Sequence, residues 1–162
     1  MRLTFLGAGL AVAAAIVGFG LFLNRGSHVE LRGGIQKVRT HAIESGSSVA
    51  VLDFRFVNPA KYPFIVRTAE VFLELKDGKT AEGMVISDMD AKRMMEGIPE
   101  LGAKYNDSLM VRTKVGPRES QDRMLAARFE VSEAEMQARK GFRIRVEDVD
   151  GAVSEIVEQT TR

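Results

Sequence analysis

The chain of 162 residues contains no cysteine. It therefore forms no disulfide, offers no thiol nucleophile or thiolate metal ligand, and has no cysteine to which a lipid could be attached. The lack of disulfides is compatible with either side of a membrane. If the chain is held at a membrane, an apolar segment must hold it there.

Histidine is almost as scarce, since His28 and His41 are the two examples. Zinc sites usually need three or four ligands at short spacings, so we expect these distant histidines on the surface or on a strand face. No Gly-x-Ser-x-Gly nucleophile motif is present, and Ser45, Ser47 and Ser48 lie in a turn-like Glu-Ser-Gly-Ser segment. The sequence thus predicts a non-enzymatic protein with no cofactor.

Neither sign of charge predominates. The chain has 23 Lys and Arg and 22 Asp and Glu, and Arg2 is the one charged residue before Arg25. A nucleic-acid surface needs an excess of clustered Lys and Arg, whereas the basic residues here are interleaved with acidic ones. We therefore expect no nucleic-acid partner.

Charge is missing altogether from Leu3 to Leu23, the run LTFLGAGLAVAAAIVGFGLFL. A helix of that length, at about 1.5 Å per residue, spans the roughly 30 Å hydrocarbon core of a bilayer. We predict an N-terminal transmembrane helix in residues 1–24, a linker in residues 25–28, one domain in residues 29–158 and a tail in residues 159–162. The lipid bilayer is the first predicted partner.

Two further questions about this segment are whether a signal peptidase removes it and on which side of the membrane the domain lies. Ala13, Ala15, Gly18 and Gly20 could suit a signal peptidase, but the apolar run continues to Leu23 and exceeds the about 7 to 15 residues typical of removed signals. An uncleaved anchor is favoured, and a secreted soluble domain is the alternative. Basic residues flank both ends of the run, so the positive-inside rule does not favour export. A short basic N-terminus before an apolar run nevertheless favours an extracytoplasmic domain, periplasmic or at the cell surface.

A second interpretation of the same stretch is a dinucleotide-binding segment. FLGAGLAVAAA resembles a strand, Gly-x-Gly turn and helix, and would use Gly7, Gly9 and the later carboxylate of Glu30 to bind FAD or NAD. Val12 occupies the place of the third glycine. The residues from Leu10 to Leu23 also lack the polar face of a crossover helix in a soluble domain, which favours the membrane interpretation.

Beyond the linker, the main signal is a period of two. The clearest strand alternates one apolar row with a mixed row, Ala50, Leu52, Phe54 and Phe56 against Val51, Asp53, Arg55 and Val57. It ends at Asn58-Pro59. One or two strands are predicted over residues 29–43, with a bend at Gly33-Gly34, and further strands over residues 65–75, 79–86, 109–115, 124–131, 142–146 and 152–157. About seven short strands predict a mostly β fold, an immunoglobulin-like antiparallel β-sandwich.

Two short helical insertions should interrupt these strands. Ser87 predicts the start of a helix that runs to Gly97, and Ser132 with Glu135 predicts a capping box for a helix that runs to Lys140. Gly141 would cap the second helix.

Methionines cluster around the first of these helices. Four of them, Met84, Met89, Met94 and Met95, lie within twelve residues. Flexible methionines suit adaptable contact surfaces, although filling of the core is the favoured use. If the helix is exposed, Met89, Met94 and Met95 form the candidate surface for a partner protein.

The passage VAVLDFRFVNPAKYPFIVRTAEVFLELKDGK, Val49 to Lys79, resembles the strand, Asn-Pro and strand passage of late-embryogenesis-abundant type 2 proteins, the water-stress WHy domain. Val57, Asn58 and Pro59 match its motif. VGPRESQDRMLAARFEV, Val115 to Val131, is similar to a loop and strand of bacterial envelope sandwiches. The resemblance covers about a third of the chain and implies a seven-stranded sandwich without an active site.

These features together predict a membrane-anchored, non-enzymatic domain with a binding or structural role in the cell envelope. An envelope protein is the expected partner. The resemblance adds stress protection as a variant of that role.

Overall fold

The computed structural model of the protein describes residues 30–158. Within this part of the chain the elements are eight strands, two α-helices and one 3₁₀ turn. In chain order they are β1 Arg32–Glu44, β2 Ser47–Val57, β3 Phe64–Glu74, β4 Thr80–Val85, α1 Asp88–Gly97, the 3₁₀ turn Pro99–Leu101, β5 Lys114–Val115, β6 Ser120–Phe129, α2 Glu133–Gln137, β7 Gly141–Asp148 and β8 Val153–Glu158.

Seven of the strands close into one barrel. Their order around it is β4, β6, β2, β1, β8, β7 and β3, and the β3–β4 hairpin joins the last strand to the first. Neighbours are antiparallel except β1 and β8, which run parallel with Gly34 opposite Val157. The two-residue strand β5 pairs with the start of β3.

The prediction of an immunoglobulin-like β-sandwich is therefore wrong, although the mostly β composition and the two helices agree with the sequence analysis. A sandwich strand and a barrel strand both alternate between an apolar inner face and an outer face, so their local patterns are alike. The difference arises because β3 pairs with β4 and so joins the last strand of this order to the first. This contact removes the free edges that two separate sheets would have.

Inward-facing apolar side chains fill the barrel. The bulkiest of them are less than 2 % exposed: Phe54, Phe56, Phe64, Phe129, Phe142, Leu52, Leu73, Leu125, Met136 and Ile144. The rings of Phe54 and Phe56 lie 5.8 Å apart, as do those of Phe129 and Phe142. Met136 of α2 joins this core. The interior is thus a packed core, which leaves recognition to the outer surface.

The helix starts are as predicted. Ser87 Oγ accepts a hydrogen bond from Asp90 N at 3.2 Å, and Ser132 and Glu135 form both bonds of a capping box. The end of the second helix differs from the prediction. α2 stops at Gln137, and Gly141 is the first residue of β7 instead of a helix cap.

Two strand predictions also need correction. β1 is one continuous strand whose register shifts between Ile35 and Lys37, not at Gly33-Gly34. Gly33 instead permits a close approach, since a Cβ there would lie 2.1 Å from the carbonyl oxygen of Arg55. The predicted strand over residues 109–115 shrinks to the two residues of β5, because the preceding segment turns back at Met110 with a hydrogen bond from Thr113 N.

The predicted anchor Leu3–Leu23, the linker 25–28 and the tail 159–162 lie outside the described residues, as do Gly7 and Gly9. Among residues 30–158, no helix has the length and the apolar character needed to cross a bilayer.

Candidate functional site

The segment between β4 and β5 packs against the outside of the barrel. α1 and the 3₁₀ turn cover the outer faces of β2 and β6 through a second apolar cluster, made of Val49, Val51, Ala91, Met95, Leu101, Met124 and Ala126. An outward strand face is normally polar, so an apolar outer row indicates a covering element. We call residues 86–113 the insertion.

A buried ion pair fastens the insertion to the barrel. Arg39 of β1 and Asp53 of β2 are each 8 % exposed, with Arg39 Nη2 2.6 Å from Asp53 Oδ2. Arg39 Nη1 also donates to the carbonyl oxygens of Leu101 at 2.5 Å and Ala103 at 2.9 Å. Asn106 Nδ2 donates to Asp53 Oδ1 at 2.9 Å. Each charge therefore has close partners, which buried charges require.

Tyr105 lies over the exposed side of this ion pair. Lys37 Nζ is 5.5 Å from the centre of its ring, and Arg39 Cζ is 5.7 Å from it. Cations at such distances are attracted to the face of an aromatic ring. Tyr105 as a whole residue is 70 % exposed, so it is part of the surface that a partner could contact.

A groove of about 690 Å³ runs along the insertion. One wall is α1, with Lys92, Met95 and Glu96, and the other is the segment after it, with Pro99, Gly102, Ala103 and Lys104. Its lining is mainly apolar, with two cations and one carboxylate. Apolar concave surfaces with a few polar groups are typical of binding sites, so this groove is the candidate functional site.

A smaller polar cavity of about 330 Å³ adjoins the insertion, with Asp88, Asp107, Lys114 and Arg123 among its lining residues. Lys104 forms an ion pair with Asp88. The hydrogen bond from Lys104, followed by one from Ser108, holds the pKa of Asp88 below its usual value of 3.8. This ion pair joins the start of α1 to the segment that forms the far wall of the groove.

The Asp88–Lys104 pair predicts a specific dependence on acid. Because the pKa of Asp88 is lowered in the folded state, its contribution to stability is complete above the unfolded pKa and is lost as the pH falls through the folded pKa. The Asp88 side chain is 40 % exposed, so the contribution is modest. Chemical denaturation between about pH 5 and about pH 3 should show a smaller loss of stability for Asp88→Asn than for the wild type. Lys104→Met should reduce the loss in the same way, and an unchanged loss in both variants would contradict this assignment.

The methionines around α1 differ in exposure: some are buried in the second apolar cluster, and others are exposed to solvent. Met95 is 5 % exposed and belongs to the second apolar cluster, and Met94 is half-buried against it. Met89 is 62 % exposed, and Met84 of β4 is 74 % exposed. Of Met89, Met94 and Met95, therefore, Met89 lies fully at the surface, while Met95 fills space beneath α1 and also lines the groove.

The sequence analysis missed Arg39, Asp53, Lys104 and Asn106. One signal was available, because Asp53 follows Val49 and Val51 in the outer row of β2. A carboxylate in an apolar row indicates a buried charge that needs a partner. Nothing in the local pattern identifies Arg39 as that partner, because the pair depends on the register of β1 and β2, in which Lys37, not Arg39, is opposite Asp53.

The remaining residues considered in the sequence analysis are the two histidines and Glu30, of which His28 lies outside the described residues. His41 lies half-buried on β1, opposite Val49. Glu30 is exposed just before β1. Within residues 30–158, no group of three or more His, Cys, Asp and Glu side chains is arranged to hold a metal ion, and the strand order contains no βαβ unit like that of a dinucleotide-binding domain.

Comparison with known proteins adds little to this geometry. No protein-family model matches the chain, and no curated protein matches it. A solved structure described as an uncharacterized beta-sandwich protein from Clostridium difficile 630 is similar at 11 % sequence identity and a TM-score of 0.40, covering 80 % of this chain and 86 % of that one. These comparisons provide no link to water-stress proteins, so the resemblance of Val49 to Lys79 stays a prediction.

Proposed function

We propose that the chain is a membrane-anchored binding protein of the cell envelope, with an extracytoplasmic barrel that recognises a partner protein through the groove of the insertion. The observation that carries this proposal is the way in which the insertion is held. A second apolar cluster and the buried Arg39–Asp53 pair fix both walls of the groove on the barrel. A preformed groove loses little conformational entropy when a partner binds.

The charged residues beneath the insertion and the lining of its groove are better suited to binding a partner than to catalysis. The buried charges of the barrel wall beneath the insertion, Arg39 and Asp53, are engaged with each other, with backbone carbonyls and with Asn106. A catalytic acid or base must reach a substrate proton, whereas Arg39 and Asp53 are buried, at 8 % exposure each, and are paired with each other. The groove wall offers instead the exposed Lys92 and the apolar surface around Pro99.

Anchoring and orientation can be read from one experiment on intact spheroplasts with a C-terminal tag. A tag that protease removes while the chain stays in carbonate-washed membranes would support an exported, anchored barrel. A protected tag on retained chain would place the barrel in the cytoplasm, and loss from the membrane would favour the secreted form. Intact mass would then show whether the apolar segment had been removed.

A charge reversal in the groove should weaken partner binding. Lys92 lines the groove, whereas the next residue, Arg93, does not, and both side chains are well exposed, at 64 % and 71 %. We expect Lys92→Glu to reduce co-purification of envelope proteins cross-linked to the wild type, because it places a second carboxylate beside Glu96. Quantitative mass spectrometry of the cross-linked material would measure the loss.

Arg93→Glu is the matched control, since it makes the same charge change on the same helix outside the groove. It should leave the cross-linked proteins unchanged. Equal losses in the two variants would indicate a general electrostatic effect, and no loss in either would show that the groove does not bind the partner.

A further inference from the structure

The loops at one end of the barrel form a surface next to the predicted anchor. β1 begins at this end, where Leu31 N donates to Ser154 Oγ at 2.8 Å. Arg32 at the start of β1 pairs with Val57 at the end of β2, and Val57 also pairs with Ser120 at the start of β6. The loops that meet here are therefore the β2–β3 loop, the β5–β6 loop and the β7–β8 turn, residues 58–63, 116–119 and 149–152. We call them the proximal rim.

Asn58 makes the proximal rim rigid. Its side chain is fully buried and Nδ2 donates to the carbonyl oxygens of Tyr62 at 2.7 Å and Gly116 at 3.1 Å. Its backbone N–H donates to the carbonyl oxygen of Glu119 at 2.9 Å. On the other side of β3, Val149 N donates to Ile65 O at 3.0 Å. The three loops are thus tied to one another or to β3 rather than free to move separately.

Two of these loop tips expose large apolar side chains. Tyr62 is 68 % exposed and Val149 is 49 % exposed. The cations Lys61 and Arg118 are exposed on the rim beside the carboxylates Glu119 and Asp150. A tyrosine combines an apolar ring with a polar hydroxyl, which suits the headgroup layer of a bilayer. Long cationic side chains suit the same layer, because an apolar stem carries the charge at its tip.

The far end of the barrel is chemically different. Its turns contain Ser45-Gly46 and Gly78, and the exposed charges around them have both signs: the carboxylates Glu44, Asp77, Glu130 and Glu135 and the lysines Lys76, Lys79 and Lys140. Ile43 is 42 % exposed at this end, but no exposed aromatic residue lies there among the described residues, and tyrosine is a residue type enriched at bilayer interfaces. The exposed Tyr62 therefore distinguishes the proximal rim from the far end.

Geometry selects the same end. From Leu23 to Leu31 the chain reaches at most about 28 Å when fully extended. The barrel is about 25 Å tall, given β2 and the usual strand tilt of a barrel. The far end could touch the bilayer only if the linker were stretched along the barrel wall, whereas the proximal rim is the end at which the described chain begins.

We infer that the proximal rim rests on the headgroup layer of the bilayer in which the chain is anchored, with Tyr62 and Val149 at the interface. This inference depends on the anchoring proposed above. Because the rim bears cations and carboxylates together, contact relies on Tyr62 and Val149 and does not require anionic lipid. The contact would hold the barrel upright, with its long axis along the membrane normal and the groove facing sideways.

The lack of native cysteine allows a direct test in the full chain. One variant has Asp150→Cys on the proximal rim, and a second has Gly46→Cys in a far turn, where a Cβ meets no atom within 4 Å. Each is labelled with an environment-sensitive fluorophore and reconstituted into phosphatidylcholine vesicles with a quencher attached to the lipid headgroup. We expect several-fold stronger quenching at position 150 than at position 46.

Substitutions of the two tyrosines provide the matched comparison. Tyr62→Asp should lower the quenching at position 150 towards the value at position 46. Tyr105→Asp should not, because Tyr105 is equally exposed but lies on the barrel wall against Lys37 and Arg39. Circular dichroism confirms folding, and both changes replace an exposed side chain.

Flotation after a carbonate wash separates the possible failures. A chain that floats but shows equal quenching at positions 46 and 150, or no response to Tyr62→Asp, overturns the contact of the rim and leaves the anchoring intact. A chain that does not float overturns the anchoring, and the rim contact with it. Unequal quenching that Tyr62→Asp abolishes and Tyr105→Asp leaves unchanged supports the inference.

Discussion

Asp53→Ala should lower the free energy of unfolding by about 3–5 kcal/mol, the usual cost of removing one partner from a buried ion pair. The substitution leaves the guanidinium of Arg39 buried, 8 % exposed, without its carboxylate. It also removes the acceptor of Asn106. Urea denaturation monitored by circular dichroism would measure the change. Limited proteolysis should show earlier cleavage within residues 98–108, because this segment loses its attachment.

Two comparisons test whether the effect arises from burial of the charge. Asp122→Ala breaks the Arg55–Asp122 pair, which is also on the outer wall but exposed, at 60 % and 45 %, and should change stability little because water solvates the remaining charge. The double substitution Arg39→Met with Asp53→Leu removes both charges and should recover much of the lost stability. If Asp53→Ala were no worse than Asp122→Ala, the ion pair would not be what holds the insertion.

Phe129→Ala should destabilise the barrel by about 3–5 kcal/mol, as expected when a buried aromatic ring is removed from a packed core. Phe129 is 1 % exposed and packs against Phe142. It also lies beneath Gly83 of β4, where a Cβ would come within 2.5 Å of the ring. Gly83→Ala alone should cost about 1–3 kcal/mol through overpacking.

The two changes should be coupled when they are combined. Removal of the Phe129 ring makes room for a methyl group at position 83, so the double variant should be more stable than the sum of the single effects by about 0.5–3 kcal/mol. Thermal or urea denaturation of the four proteins gives this coupling energy. Gly97→Ala is the control glycine, since a Cβ there meets nothing within 4 Å; it should be neutral or mildly stabilising. Strict additivity of Gly83→Ala and Phe129→Ala would contradict the packing assigned to this part of the wall.

Much of the secondary structure could be predicted because its signals are local. The alternation from Ala50 to Val57 identified β2, and Ser87 and Ser132 identified two helix starts that their hydrogen bonds confirm. Such signals depend on neighbours within four residues. The segment 109–115 shows the limit of this approach, because it alternates like a strand yet turns back at Met110 and Thr113.

The candidate site was predicted less well. The methionines directed attention to α1, but whether Met89 or Met95 is exposed depends on which side of α1 faces the barrel. The ion pair of Arg39 with Asp53 could not be foreseen, because these residues meet only after β1 and β2 have paired in one particular register. The apolar residues Val49 and Val51 in the outer row of β2 were the one local sign that another element would cover it.

By itself, the sequence determined the absence of disulfides, a run of membrane-spanning length, the balance of charge and the positions of most strands and both helices. These properties follow from composition and from backbone periodicity, which act over a few residues. The tertiary structure decided that the strands form a closed barrel, that the insertion covers β2 and β6, and that its fastening is a buried ion pair. Those features depend on contacts such as Gly34 with Val157 and Arg39 with Leu101, between residues whose separation along the chain leaves no local pattern.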